Sequence, residues 1–155
     1  MNFLLDTNVV SEWVRPHPNE NVVRWLAEVD EDRTYVSVVT FAEIRMGVDA
    51  MAPGRRRELL RTWLEADLRA RFEGRILGVD PELALAWGAL MARGARAGVT
   101  VSAMDALIAA SAETHGFVLV TRDTRHLDKL EIKYFNPWAH EPPRAGDSTG
   151  DIHHE

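Results

Sequence analysis

Hydrophobic residues along the chain form short runs typical of buried strands, separated by longer stretches in which they recur at helical spacing. Short apolar or β-branched runs predict five strands, at 2–5, 34–38, 75–79, 117–120 and 132–135. The first of these runs ends at Asp6, directly before a short helical stretch. The pattern therefore indicates a chain in which strands and helices alternate.

The stretches between the strands predict helices at 9–15, 19–29, 39–51, 54–72, 81–98 and 102–115. Asn19, Asp80 and Ser102 stand at helix starts, where such side chains accept hydrogen bonds from free backbone N–H groups. Strands that alternate with helices predict an α/β fold, with a parallel sheet covered by helices on both faces. Right-handed crossovers would then bring the carboxyl ends of all the strands to one edge of the sheet.

The composition is that of an ordinary folded domain, with 155 residues, 46% hydrophobic and 27% charged. The absence of cysteine excludes disulfides, thiolate catalysis and cysteine-ligated zinc. No apolar run approaches the roughly 18 residues of a membrane span, and the amino terminus lacks the basic region of a secretory signal. We therefore expect a cytoplasmic protein that does not enter a membrane.

The composition changes near the carboxyl terminus, where 139–155 contains four acidic residues and one arginine but few apolar residues. We interpret 1–138 as one folded domain and 139–155 as a disordered acidic tail. The whole chain has a net charge of −6. It therefore lacks a global basic field for nucleic acid, and any such binding would need a local patch.

Four acidic residues occur where this topology would bring them together. Asp6 ends the first strand and Asp123 follows the strand at 117–120, whereas Glu43 and Asp105 fall in the first turns of predicted helices. All four are expected at the carboxyl edge of the parallel sheet, which is the edge where α/β proteins bind their ligands. The sequence thus predicts an acidic cluster at this edge.

Each acid also has a structural explanation. Thr40-x-x-Glu43 and Ser102-x-x-Asp105 both match a capping box, and an acid in a first helical turn is favoured by the helix dipole. Asp6 and Asp123 are compatible with simple turn residues. These explanations do not account for the convergence of four acids without an evident lysine or arginine matched to each.

Electrostatics favours a bound cation at such a cluster. Two carboxylates 5 Å apart repel by about 3 kcal/mol at an effective dielectric near 20. A divalent cation relieves this repulsion, and ligation by oxygen alone selects Mg²⁺ or Mn²⁺ over zinc. Carboxylates with Mg²⁺ suit phosphoryl chemistry, and the sequence shows no Ser-His pair for nucleophilic catalysis. Water is therefore the expected nucleophile.

Several short motifs occur in a characteristic order and spacing: Asp6-Thr7-Asn8, Thr40-x-x-Glu43, Ser102-x-x-Asp105-Ala106-Leu107-Ile108-Ala109, Leu119-Val120-Thr121-Arg122-Asp123 and Phe135-Asn136-Pro137-Trp138. Together they resemble PIN-domain ribonucleases of the VapC toxin type, in the FitB-like branch. The resemblance covers 1–138 and leaves the acidic tail outside. It implies a three-layer α/β/α sandwich with a central parallel sheet.

The resemblance also implies an activity and a site. It implies a toxin of a type II toxin–antitoxin system that hydrolyses RNA phosphodiester bonds with Mg²⁺, which Mn²⁺ is able to replace. Asp6 and Asp105 would bind the metal directly, whereas Glu43 and Asp123 would act through water or hold a second ion. Thr7 and Thr121 would support these acids by hydrogen bonding, as groups around metal ligands do.

The implied partners are an RNA substrate, a cognate antitoxin protein and a second copy of the chain in a homodimer. Arg122 and Arg125 flank Asp123 and are candidates for contacts to RNA phosphates, although simple charge balance would explain them equally well.

Two other functions compete with the nuclease. A phosphatase of the haloacid dehalogenase type also begins with an aspartate after an apolar strand, but it needs a second aspartate at the position of Asn8. The other alternative is a non-catalytic PIN-like module that binds or regulates only in complex with a partner protein.

Overall fold

The computed structural model of the chain describes residues 1–139, so 140–155, most of the predicted acidic tail, lie outside the described residues. The strands are β1 Phe3–Leu5, β2 Thr34–Ser37, β3 Ile76–Leu77, β4 Val118–Val120 and β5 Tyr134–Phe135. They form one sheet in the order β3-β2-β1-β4-β5, and every neighbouring pair is parallel. The predicted parallel sheet is therefore confirmed.

The helices are α1 Thr7–Val10, α2 Glu20–Glu28, α3 Val38–Ala50, α4 Arg55–Thr62, α5 Arg69–Arg71, α6 Pro81–Arg96 and α7 Ala103–His115. A 3₁₀ turn at Ser11–Val14 follows α1. The side chains of Asn19, Asp80 and Ser102 accept backbone hydrogen bonds at the starts of α2, α6 and α7, as predicted. Gly116 ends α7 with a φ of 68°, a left-handed conformation that favours glycine.

The single amphipathic helix predicted over 54–72 is interrupted. A π-helical segment at Trp63–Leu68 separates α4 from α5. Leu64 and Leu68 are buried, but Leu59 is 55% exposed, although helical spacing predicts all three on one apolar face of the helix. The wider turns of a π-helix change the angular phase between residues, so a stripe counted at 3.6 residues per turn does not continue across this segment.

Buried side chains on the two faces of the sheet belong to two separate clusters. Leu4 and Leu119 pack with side chains of α6 and α7. Leu5 and Val120, the next residue of each strand, pack with side chains of α1, α2 and the π-helical segment. Because successive residues of a strand point to opposite faces, this alternation builds a layer of helices on each side. The chain is therefore an α/β/α sandwich.

The strand order places a crevice next to β1. The chain passes from β1 to β2 and β3 on one side, and then returns to β4 and β5 on the other. In open parallel sheets, ligands bind at the carboxyl ends of the strands where the order reverses in this way. The ends of β1 and β4 are joined there by a 2.9 Å hydrogen bond from Asp6 N–H to the Val120 carbonyl. None of the helices in residues 1–139 is long and apolar enough to cross a membrane.

Candidate active site

Asp6 lies at the carboxyl end of β1 and caps α1. Its Oδ1 accepts a 2.8 Å hydrogen bond from the Thr7 backbone N–H, and its Oδ2 accepts one of 2.7 Å from the Thr121 hydroxyl. The side-chain amide of Asn8 donates a longer, 3.5 Å hydrogen bond to the same Oδ2. These three donors orient the carboxylate but carry no charge, so Asp6 has no ion-pair partner within residues 1–139.

The pKa of Asp6 is raised to about 6, mainly by burial of the carboxyl and to a smaller extent by the nearby carboxylates of Asp105 and Glu43. The hydrogen bonds from Thr121 and Thr7 act in the opposite direction and offset only part of the effect. Because Asp105 and Glu43 both act on Asp6, three acids from distant parts of the chain share one electrostatic environment. The acidic cleft at the carboxyl ends of β1 and β4 therefore contains a carboxylate, that of Asp6, whose ionisation at neutral pH costs free energy.

Glu43 does not lie where the capping-box interpretation put it. Ser37 caps α3 and the helix begins at Val38, directly after β2, so Thr40 is not its cap. Glu43 therefore falls in the second turn, and α3 has no acid in its first turn. The Glu43 Oε1 instead accepts a 2.8 Å hydrogen bond from the Thr7 hydroxyl. Helix capping does not explain this acid, whereas a place beside Asp6 does.

Asp105 is in the first turn of α7, as predicted. Its backbone N–H donates a 3.1 Å hydrogen bond to Ser102 Oγ, which is one half of a capping box. The other half is missing, because the Asp105 carboxylate forms no hydrogen bond or ion pair with the described residues. This exposed carboxylate is thus available to a ligand on the side of Asp6.

Asp123 differs from the other three acids because it has a cationic partner. Arg125 donates hydrogen bonds of 3.0 and 3.1 Å to the two carboxylate oxygens, from Nε and Nη2 respectively. These bonds lower the pKa of Asp123. The expectation that no lysine or arginine would be matched to the acids is therefore wrong for Asp123. It holds within residues 1–139 for the other three acids.

Thr121 connects the ends of β1 and β4. Its hydroxyl donates to Asp6 and accepts from the Asp123 backbone N–H at 3.1 Å and from the Asn8 amide at 3.4 Å. A hydroxyl has one proton and two lone pairs, so this buried group is fully used. Thr121 therefore sets the position of the Asp6 carboxylate relative to the strand that carries Asp123.

Sequence reasoning missed two polar residues of the cleft. Asn8 spans it, because its amide reaches Asp6 and Thr121 and its Oδ1 accepts a 3.4 Å hydrogen bond from the Arg122 backbone N–H. The spacing of two residues after Asp6 is a signal that could have suggested this role. The other is Thr40, fully buried with its hydroxyl 3.1 Å from that of Thr7. The Thr40-x-x-Glu43 motif indicates Thr40 only as a helix cap.

The predicted RNA-contacting arginines differ in their surroundings. Both Arg122 and Arg125 are exposed on the loop after β4. The Arg122 guanidinium lies 5.6 Å from the centre of the Trp138 ring and forms no ion pair within residues 1–139. Arg125 is held by Asp123. A contact of either residue with RNA stays a prediction.

The acidic side chains of the cleft offer only part of the ligand set that a metal ion needs. No group of three or more histidine, aspartate or glutamate side chains within residues 1–139 is arranged to hold one. The cleft therefore does not form a complete protein cage. Mg²⁺ is commonly bound by one or two carboxylates with several waters, and Asp6 with Asp105 provides such a pair. A cation at this pair would relieve the charge strain on Asp6, and a donor set made of oxygen alone fits Mg²⁺ or Mn²⁺ better than zinc.

A cavity of about 420 Å³ lies elsewhere, between the carboxyl-terminal half of α6 and the start of α7. It is lined mainly by apolar side chains such as Leu90, Val99 and Leu130, and it contains none of the four acids. Such a lining cannot bind a metal ion or a phosphate, so the carboxylate cleft is the better candidate site.

The chain is similar to proteins of known family. Residues 3–133 match the family model of the PIN domain. The chain is 38% identical over 135 residues to Toxin FitB of Neisseria gonorrhoeae, covering 87% of this chain and 97% of the relative. It is 35% identical over 135 residues to VapC ribonuclease Y4jK of Sinorhizobium fredii, covering 87% and 96%. A solved structure of FitAB bound to the IR36 DNA fragment superposes with a TM-score of 0.84 and 37% identity, covering 92% of this chain and 99% of that chain.

Proposed function

The chain belongs to the PIN-domain family and, within it, to the group of the FitB and VapC toxins, and on this premise we propose that it is a Mg²⁺- or Mn²⁺-dependent endoribonuclease. In this proposal it acts as the toxin of a type II toxin–antitoxin system. The similarity to a protein named as a toxin and to one named as a ribonuclease supports the class of activity. The metal and the RNA cleavage are inferred from the cleft.

One observation carries the proposal. Asp6, Glu43 and Asp105 come from three distant segments, the latter two both act electrostatically on Asp6, and none of the three has an ion-pair partner within residues 1–139. A fold gains nothing by gathering unpaired carboxylates, because their mutual repulsion and the burial of Asp6 both cost free energy. An acidic cluster that the fold does not neutralise supports a ligand that does.

The side chains of the cleft have separable roles in this proposal. Asp6 and Asp105 would hold the metal, and Mg²⁺ bound there would lower the pKa of a water and offset negative charge on the phosphate. Thr121 and the Thr7 backbone N–H keep both oxygens of Asp6 in place. The Thr7 hydroxyl orients Glu43, whose free oxygen can accept a proton from a water at the carboxylate pair.

Exposed apolar side chains on three helices support protein partners. Met46 on α3 and Leu59 on α4 are 63% and 55% exposed, on two helices that pack against each other, and Val23 on α2 is 42% exposed. Apolar surface of this kind suits association. The solved FitAB complex supports a cognate antitoxin as one partner, and a second copy of the chain in a homodimer is the other partner that we propose.

A non-catalytic role remains the alternative. It is favoured by the lack of a preformed group of three metal-binding side chains within residues 1–139 and by the pairing of Asp123 with Arg125. A module that only binds a partner would not need the other three acids to be unpaired. Measurement of RNA cleavage distinguishes the two functions.

The direct test is an assay of the purified chain, freed of its partner, on single-stranded RNA labelled at one end. We expect cleavage products with Mg²⁺ or Mn²⁺ and none after the metal has been removed with a chelator. Restoration by added metal would show that the chelator did not simply unfold the protein. Cleavage that is equally fast in excess chelator would contradict the metal-dependent mechanism, and the absence of cleavage with either ion would favour the binding module.

Thr121→Val should lower the rate of RNA cleavage by about tenfold to a hundredfold, the usual cost of losing a group that orients a metal ligand. Valine keeps the volume of the buried side chain but removes the hydroxyl that donates to Asp6. That hydrogen bond also lowers the pKa of Asp6, so its loss should move the acidic limb of the pH–rate profile upward.

Thr34→Val is the matched control for this substitution. Thr34 is also buried, at 2% exposure, and its hydroxyl donates a 2.7 Å hydrogen bond to the Glu31 carbonyl, outside the cleft. We expect it to lower the free energy of unfolding by about 1 kcal/mol without changing the rate. Equal rates for the two variants would show that Thr121 has no positioning role.

A further inference from the structure

Arg125 holds one of the four candidate acids and leaves the others free. Its two hydrogen bonds to Asp123, at 3.0 and 3.1 Å, join the planar guanidinium to both carboxylate oxygens. Asp6, Glu43 and Asp105 have no such partner within residues 1–139. The ion pair therefore occupies one acid of the acidic cleft, at the end of β4.

The charge of Arg125 also reaches beyond Asp123. Asp105 acts on Arg125 electrostatically, and its negative charge adds to the rise in the pKa of the guanidinium that Asp123 mainly causes. Arg125 is thus close enough to Asp105, one of the two proposed metal ligands, for their charges to interact. A divalent cation bound there would repel the guanidinium and compete with it for the negative charge of the same acids.

We propose that Arg125 is a built-in counter-cation of the acidic cleft that a divalent metal ion displaces, so that metal loading releases its guanidinium from Asp123 for an RNA phosphate. This inference rests on the proposed function and adds a regulation of the same site. Before loading, Arg125 offsets part of the acidic charge. After loading, a guanidinium with free donors lies at the rim, where two of its N–H groups can bind one phosphate.

The exposure of the ion pair makes such an exchange feasible. The side chains of Arg125 and Asp123 are 77% and 47% exposed. Ion pairs at such sites are weak, so a cation can displace the guanidinium at small cost. Metal binding and the ion pair then oppose each other. Removal of the arginine should therefore lower the Kd for the metal.

The experiment is a calorimetric titration of the metal-free chain with Mn²⁺ at pH 8, without RNA. Arg125→Gln is expected to lower the Kd for Mn²⁺ by about threefold to tenfold, which corresponds to the range of weak ion pairs. Arg122→Gln removes the same charge from the same loop, but Arg122 pairs with no acid of residues 1–139, so we expect less than about a twofold change. Circular dichroism would check that each variant is folded.

A double-mutant cycle separates the effect of the Asp123–Arg125 ion pair on metal binding from the long-range effect of the Arg125 charge. In an Asp123→Asn background the ion pair is already gone, so Arg125→Gln should change the Kd by less than it does in the wild-type chain. A full effect of Arg125→Gln in that background would overturn the proposal.

The same titration distinguishes failure of the inference from failure of the proposed function. If the wild-type chain binds Mn²⁺ but Arg125→Gln leaves the Kd unchanged or raises it, the inference alone is wrong. If the wild-type chain binds no Mn²⁺ at millimolar concentration, the proposed metal site fails and the inference fails with it.

Discussion

Asp6→Asn is expected to reduce the rate of RNA cleavage by more than about a hundredfold, since loss of a group that merely orients a metal ligand costs up to that much. Asparagine has nearly the same shape as aspartate but lacks the charge that would bind Mg²⁺ or Mn²⁺. The fold should persist, because the raised pKa shows that the Asp6 carboxylate is costly to the folded chain. The end-labelled RNA assay measures the rate.

Asp67→Asn provides the matched control. Asp67 is exposed on the π-helical segment and forms no hydrogen bond or ion pair within residues 1–139. Asp67→Asn removes one negative charge, as Asp6→Asn does, but it does so at a residue that is not one of the four candidate acids. RNA cleavage by Asp67→Asn should therefore continue at the wild-type rate. If Asp6→Asn also cleaves at that rate, Asp6 is not part of the mechanism and the site assignment is wrong.

Divalent metal should stabilise the folded chain strongly at pH 8. At a metal concentration of about 100 times the Kd, preferential binding to the folded state adds about 2.7 kcal/mol. For a chain of this size, that corresponds to a rise in Tm of about 5–10 °C. Thermal unfolding followed by circular dichroism, with and without Mg²⁺ or Mn²⁺, measures the shift.

The shift in Tm should become smaller in acid. In the proposed site Asp6 would have to be ionised to bind the metal, and its pKa in the folded chain is about 6. One pH unit below this pKa, only about a tenth of the Asp6 carboxyls are ionised, which removes about 1.4 kcal/mol of the binding energy. At pH 5 the metal-induced rise in Tm should therefore be about half of its value at pH 8.

Without metal, the free energy of unfolding should decrease as the pH rises through the range in which Asp6 ionises. The pKa of Asp6 is about 6 in the folded chain against an ordinary value of 3.8, so the folded state binds more protons between about pH 4 and pH 6. The free energy of unfolding therefore falls as the pH rises through this window, by about 3 kcal/mol from this residue. Asp6→Asn should remove this fall and the response to metal together.

Asp67→Asn should retain both behaviours, which makes it the control for the stability measurements as well. An equal rise in Tm with metal in Asp6→Asn and in the wild type would place the bound ion elsewhere. A metal-induced shift that is as large at pH 5 as at pH 8 would contradict the role of the Asp6 carboxylate.

Much of the fold followed from local patterns. The alternation of Leu4 and Leu5 between two clusters is the two-residue period of a buried strand, which needs helices on both faces. The caps at Asn19, Asp80 and Ser102 were predictable because they depend on residues two or three positions away. Signals of this range can be read from a single sequence.

Errors arose where a distant contact or a change in local geometry mattered. The start of α3 was placed too late, because Ser37 belongs to β2 and also caps the helix, which hides the boundary. Leu59 was assigned to a buried stripe that the π-helical segment interrupts. Arg125 lies only two residues from Asp123, but the conformation of the loop after β4 decided that the two would pair.

The sequence by itself determined the order of the elements, the parallel sheet, and the places of Asp6 and Asp123 after strands and of Asp105 at a helix start, because these follow from periodicity and short-range hydrogen bonding. Only the tertiary structure decided the charge state of the cleft. In the folded chain Asp6, Glu43 and Asp105 have no ion-pair partners within residues 1–139, whereas Asp123 forms an ion pair with Arg125. Burial and the distances between charges depend on segments more than 100 residues apart, such as Asp6 and Thr121, which no local pattern encodes.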